Sequence, residues 1–184
     1  MRSEEVSETA AQEAPKAENL AVHALPVAGG ILALCPLPGA GGDYRGDLDH
    51  INDWKPGLVL SMTTAEEQAA AGGQMLGVDI QSMASRWIHL PVPDFGTPPP
   101  EVEVKWPAAS QAARKALAGG GRVLVHCKGG CGRSGMAVLR LMIESGEPAV
   151  KALARLRAVR PCAVETQAQM EWAYAGYEIG QEAE

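Results

Sequence analysis

Aromatic side chains are scarce in this sequence: one Phe, three Tyr and four Trp in 184 residues. Any core must therefore be aliphatic, built from Leu, Val, Ile, Ala and Met. Apolar residues make up 46% of the chain, enough for one well-buried core in a domain of ordinary size. Positive charge is short as well, with 16 Lys and Arg against 22 Asp and Glu, a net of −6. A global basic field that would draw nucleic acid is missing, so an anion site has to be local. Cysteine is limited to Cys35, Cys127, Cys131 and Cys162. These are too few and too irregularly spaced for a disulfide scaffold, and without paired C-x-x-C units a structural zinc site is not expected. The pattern suits a reducing cytoplasm. Finally, residues 20 to 42 carry no charge at all, which raises the question of a membrane span or signal peptide. Pro26, Pro36, Pro38, several glycines, His23 and an acidic rather than basic flank argue against insertion. The stretch reads instead as a hairpin of two core strands.

What is present divides into a short tail and one domain. Residues 1 to 19 are rich in Glu, Ala, Ser and Gln and nearly devoid of large apolar side chains. We read them as a disordered or loosely helical acidic tail, net −3, ahead of a single domain over residues 20–184. Strands are expected near Val22–Val27 and Ile31–Cys35, joined at Gly29–Gly30, and again at Leu58–Ser61, Trp87–Val92 and Val123–His126. Helices are expected at Asp47–Trp54, after Thr64 with Glu66 and Glu67 in the first turn, at Ile80–Arg86, Glu101–Leu117, Arg133–Glu144, Pro148–Val159 and Glu165–Ile179. In Pro148–Val159 the spacing of Val150, Leu153 and Leu156 marks the buried stripe. Strands alternating with helices imply an α/β fold around a central, mostly parallel sheet.

The informative run is His126-Cys127-Lys128-Gly129-Gly130-Cys131-Gly132-Arg133-Ser134-Gly135. A cysteine with an arginine six places on means little in a chain with ten arginines. Context gives it weight. Val123–His126 is a continuous apolar strand of the kind buried on both faces, and an apolar helix follows the turn, which is where α/β sheets put ligand sites. A glycine-rich turn at a helix N-terminus can aim successive backbone N–H groups at an anion. A thiol at the head of that turn feels the same field. Lowering a cysteine pKa from about 8.5 to about 5 takes roughly 5 kcal/mol of such stabilisation. The planar fork of Arg133 can grip two phosphoryl oxygens at once. A proton donor for a leaving oxygen is also needed, and Asp94, in the Pro/Gly-rich loop after Trp87–Val92, is the first candidate. Glu101 is the second, although it fits the first turn of the following helix better.

His126 to Gly135 resembles the signature H-C-x-x-G-x-x-R-[ST]-G of the protein-tyrosine and dual-specificity phosphatase superfamily, and Pro93-Asp94-Phe95-Gly96 resembles its general-acid loop. Pro36-Leu37-Pro38-Gly39, the Asp47–Trp54 pattern, the doubled Gly129-Gly130 and Arg160-Pro161 are similar to the kinase-associated, cyclin-dependent-kinase-inhibitor-type branch. The resemblance implies a three-layer protein-tyrosine-phosphatase-like α/β fold, its sheet flanked by helices, and hydrolysis of phosphotyrosine, with phosphoserine and phosphothreonine as further substrates, through a cysteinyl-phosphate. It implies Cys127 as nucleophile, Arg133 as transition-state clamp, and Asp94 as general acid and then base. Ser134 would hydrogen-bond the sulfur, and the backbone amides of Lys128, Gly129, Gly130, Cys131 and Gly132 would bind phosphate. His126 would shape the loop. Gln169 stands where the family positions water, with solvation on a helix surface as the alternative. No cofactor and no metal is called for; the partner is a phosphorylated protein or another phosphomonoester.

The sequence departs from the family at two points. Cys131 is unusual in this loop; it can form a reversible disulfide with Cys127 or simply fill space. The tyrosine-bearing recognition segment of the larger tyrosine-specific enzymes is missing, and Lys128 adds a positive charge at the rim that suits acidic peptides or phosphorylated lipids, with plain solvation as the alternative. Two other functions compete with a phosphatase: a phospho-ligand-binding module with weak catalysis, and a thiol-based reductase or sulfurtransferase using Cys127 and Cys131.

Overall fold

The computed structural model describes residues 20–177; the acidic tail and the end of the last expected helix lie outside them. Five strands form one sheet: β1 (His23–Val27), β2 (Gly30–Cys35), β3 (Leu58–Ser61), β4 (Arg86–His89) and β5 (Arg122–His126). Their order is β1-β2-β5-β3-β4, with β1 antiparallel to β2 and all other pairs parallel. Alternation along the strands feeds two cores. Leu32, Leu34, Leu58, Leu60, Val123 and Val125 face one side, and Ala33, Cys35, Val59 and Leu124 face the other, as the period of two in a strand requires. Strand β5 lies between β2 and β3 with Val123–His126 fully buried, which explains its unbroken apolar run.

Helices α1 (Tyr44–Trp54) and α3 (Leu76–Ser82) cover the second face through Leu48, Ile51, Leu76 and Ile80. Helices α4 (Pro100–Glu103), α5 (Trp106–Ala118), α6 (Gly132–Glu144), α7 (Ala149–Val159) and α8 (Gln167–Tyr174) cover the first. The short helix α2 (Ala65–Ala70) starts from Thr64, whose hydroxyl accepts from the Glu67 amide while Glu67 accepts from the Thr64 amide. This capping box satisfies two otherwise unpaired amides. The three-layer α/β arrangement is the expected one.

Several boundaries differ from expectation, each for a local reason. The β1–β2 turn is Ala28–Gly29, both with positive φ (49° and 91°), the pair a two-residue hairpin needs to match strand twist. The helix expected over Glu101–Leu117 is two, α4 and α5, because Pro107 at the start of α5 cannot donate to a preceding turn. Helix α3 begins four residues earlier than expected and ends before Ala84, which is left-handed (φ 62°). The freed residues Arg86–His89 pair with β3. Val150 is 78% exposed; Ala152 and Leu156 carry the buried stripe of α7 instead. Cys131 is bonded to Cys162, not to Cys127, while Cys35 and Cys127 are free and buried. Both readings offered for Cys131, a reversible disulfide with Cys127 and a space-filling side chain, are corrected: its partner is Cys162.

Candidate active site

Strand β5 delivers His126 and Cys127 to the carboxyl edge of the sheet, and α6 starts at Gly132. The turn between them is fastened from outside by its carbonyl groups. Lys128 O accepts from the Leu37 amide (3.1 Å). Arg160 donates to Gly129 O (2.9 Å) and Gly130 O (3.0 Å). Cys131 O accepts from the amides of Gly135 (3.0 Å) and Val164 (3.2 Å). In a planar trans peptide the N–H points opposite the preceding C=O. With these four carbonyls held outward, the amides of Gly129, Gly130, Cys131 and Gly132 are turned to the inner side. Gly130 is required here: its φ is +69°, and a Cβ would sit 2.7 Å from Cys35 C and Pro36 N. A Cβ at Gly135 would lie 2.6 Å from the Val164 amide nitrogen, so α6 approaches the 160–164 segment at backbone contact.

Cys127 is 2% exposed, with its Sγ 3.2 Å from Ser134 Oγ. Arg133, 1% exposed, aims its guanidinium at three groups. Its Nη1 donates to Glu67 Oε2 (2.8 Å) and Val92 O (2.8 Å), and its Nη2 donates to Glu67 Oε1 (2.9 Å). Nη2 also lies 3.2 Å from Asp94 Oδ1. Burial opposes the charge on both members of the Glu67–Arg133 pair. The charge-assisted hydrogen bonds outweigh it, holding the Glu67 carboxyl below its ordinary range and the Arg133 guanidinium above its own.

Sequence reasoning missed Glu67 at this site. Its place in a capping box is readable from Thr64-x-x-Glu67, but its pairing with a residue 66 positions away arises only when α2 docks beside the turn.

Asp94 is half exposed. Its loop is shaped by the Gly96 amide donating to Pro93 O (2.9 Å) and by Phe95 in a left-handed conformation (φ 59°). Gln169 is fully buried, so the surface alternative is corrected. Its Nε2 donates to Gly96 O (3.1 Å) and its Oε1 accepts from the Glu165 amide (3.0 Å). A Cβ on Gly132 would lie 2.9 Å from Gln169 Oε1. Gln169 thus bridges the Asp94 loop and the start of α6. Glu101 sits in the first turn of α4, as its alternative reading held. Lys128 is exposed at the rim.

His126 is buried behind the turn, its Nε2 2.5 Å from Ser61 Oγ. Trp87 Nε1 also reaches that oxygen, at 2.7 Å. An indole N–H can only donate, so Ser61 Oγ accepts from Trp87 while also pairing with His126 Nε2. The other ring nitrogen, His126 Nδ1, faces the Cys127 backbone. Burial is the main cause that lowers the His126 pKa to about 4, so the ring is neutral near pH 7.

A thiol, a bidentate cation and four inward amides on one turn can hold a tetrahedral oxyanion above the sulfur. The Cys131–Cys162 bond removes the Cys127–Cys131 pair that a thiol reductase would use.

Known structures share this arrangement of elements. A kinase associated phosphatase (KAP) with its catalytic-site cysteine substituted by serine superposes with a TM-score of 0.77 at 19% identity, covering 90% of this chain and 98% of that one. Tk-PTP in the active form gives 0.67 at 27% identity over 85% and 97%. PTPMT1 in complex with PI(5)P gives 0.69 at 18% over 88% and 98%. A comparison with curated proteins gave no significant match. The family model described as protein-tyrosine phosphatase matches residues 64–177, well over half the chain and every catalytic candidate named above. The chain belongs to the protein-tyrosine phosphatase family.

Proposed function

We propose that the protein hydrolyses phosphate monoesters on phosphorylated proteins, phosphotyrosine first and phosphoserine or phosphothreonine as well, through a phosphocysteine. The observation that carries this is the turn itself: Cys127 Sγ against Ser134 Oγ, Arg133 buried beside it, and outward carbonyls that leave four amides facing in. The Cys127 thiolate attacks phosphorus as the bond from phosphorus to the ester oxygen breaks. Asp94 passes its proton to that leaving oxygen. A water then attacks the phosphocysteine, Asp94 takes up its proton, and the sulfur departs with a hydrogen bond from Ser134. Inorganic phosphate leaves and the thiolate is restored.

Arg133 supplies charge where the equatorial oxygens gather it. Glu67 engages both Nη1 and Nη2, and the contact a phosphate would replace is the one from Nη2 to Asp94. Displacement of that contact frees Asp94 to reach the leaving oxygen. Gln169, which already pins the acid loop through Gly96, would orient the attacking water, and the neutral His126 supports the Cys127 backbone. No metal, cofactor or nucleic acid enters this scheme.

Turnover of p-nitrophenyl phosphate tests it. Cys127→Ser should lower kcat by about 10³-fold or more while vanadate still binds. Undiminished turnover in that variant would exclude the phosphocysteine route.

A further inference from the structure

Beside the phosphate turn is a cavity of about 460 Å³ that the proposed chemistry does not use, lined by Leu37, Gly39, Ala40, Glu66, Ala70 and Ala71, with Glu67 and Lys128 shared with the turn. We propose that it is a specificity subsite for an aliphatic side chain next to the phosphorylated residue of a peptide substrate. The inference rests on the phosphatase reading and deepens it.

Three observations carry it. First, both walls are bonded to the phosphate site. The wall from the β2–α1 connection is tied by the Leu37 amide to Lys128 O (3.1 Å), and the wall from α2 is tied by Glu67 to Arg133 (2.8 Å). A group entering the cavity is therefore at a fixed place relative to the phosphorus.

Second, the walls are packed against each other. A Cβ on Gly39 would overlap the Ala71 carbonyl oxygen, and buried Asp47 holds the Gly39 amide (2.8 Å). The cavity is preformed and does not depend on closure.

Third, its inner surface is small and apolar: Leu37, Ala40, Ala70 and Ala71 offer methyl groups and no hydrogen-bonding side chain. Against these four residues a polar or charged neighbouring side chain would find no hydrogen-bonding side chain, whereas an aliphatic one would cover apolar surface.

The rim distinguishes a peptide from a phosphorylated lipid. Glu66 has no hydrogen-bond or ion-pair partner among the described residues, and this exposed carboxylate lines the cavity together with Lys128. A headgroup with several phosphates would meet that carboxylate at close range, whereas a peptide bearing one phosphate carries no second anion to the cavity mouth.

The test is a set of phosphotyrosine peptides identical except for Leu, Met, Gly or Asp on either side of the phosphorylated residue. On one side, Leu and Met should exceed Gly by about tenfold in kcat/KM, and Asp should fall at or below Gly. Ala70→Trp and Ala40→Trp fill the cavity from opposite walls at exposed positions, and either should bring the Leu-to-Gly ratio close to one. A flat panel, or a ratio unchanged in both variants, would overturn the subsite. So would turnover of phosphoinositide in phosphatidylcholine vesicles above that of the best peptide. If p-nitrophenyl phosphate is turned over in a Cys127-dependent way while the panel is flat, only the subsite fails. If that turnover is absent, the phosphatase reading fails with it.

Discussion

Asp94 occupies a place unlike that of its partners. Cys127, Arg133 and Ser134 are buried and fixed, while Asp94 is half exposed on a loop held mainly through Gly96. A group of that kind can act late, on the leaving oxygen, without contributing to the binding of phosphate. Asp94→Ala should therefore slow turnover of a phosphotyrosine peptide by about 10²-fold. Turnover of p-nitrophenyl phosphate, whose leaving group needs no proton, should drop far less. Parallel rate measurements on the two substrates decide it, and equal losses would remove Asp94 from the acid's role. His126 makes a different demand. Buried and neutral, it has a pKa of about 4 in the fold against 6.5 when free. A depressed pKa means that its contribution to stability is complete above about pH 6.5 and is lost as the pH falls towards 4. The loss amounts to roughly 3 kcal/mol at full protonation. Urea unfolding midpoints between pH 7 and 4 should fall accordingly, and His126→Asn should flatten that part of the profile.

Among the elements, the segment just beyond α7 matters most. Arg160 grips two carbonyls of the phosphate turn and Val164 a third, so the inward set of the amides is enforced by a piece of chain that never meets the anion. Arg160→Ala removes both of its charge-assisted hydrogen bonds to the turn and should weaken vanadate inhibition by about tenfold or more. An unchanged inhibition constant would mean that the turn keeps its shape unaided. Part of this was legible in the sequence. The buried strand, the glycine turn, Arg133 and the Asp94 loop are local patterns, and each appears at its expected place. Arg160-Pro161 was visible only as a resemblance, because nothing local shows which carbonyls an arginine will reach 30 residues upstream. Glu67 and the Cys131–Cys162 bond were hidden for the same reason: pairs that depend on two elements docking leave no periodic trace. The division of Glu101–Leu117, by contrast, could have been read from Pro107.

For the molecule as a whole, the sheet sets the site and two helical layers fix it. The carboxyl ends of β5 and β3 place His126 beside Ser61, α2 brings Glu67 from one side, and α8 brings Gln169 from another. Separate elements thus support the turn and the Asp94 loop, so global unfolding and loss of activity should coincide. The covalent tie between Cys131 and Cys162 is checked most directly on the intact protein. Mass measured without reductant should be lower by two hydrogens than after reduction, and peptide mapping should join residue 131 to residue 162 rather than to residue 127. A map joining 131 to 127 would contradict the fold described here.

Because the outward carbonyls are gripped from behind, the anion's receptor is cast as in a mould whose outer shell reaches solvent at half-buried Arg160 and exposed Cys162. A change made to that shell would be felt on its inner side through the peptide groups that the two sides share.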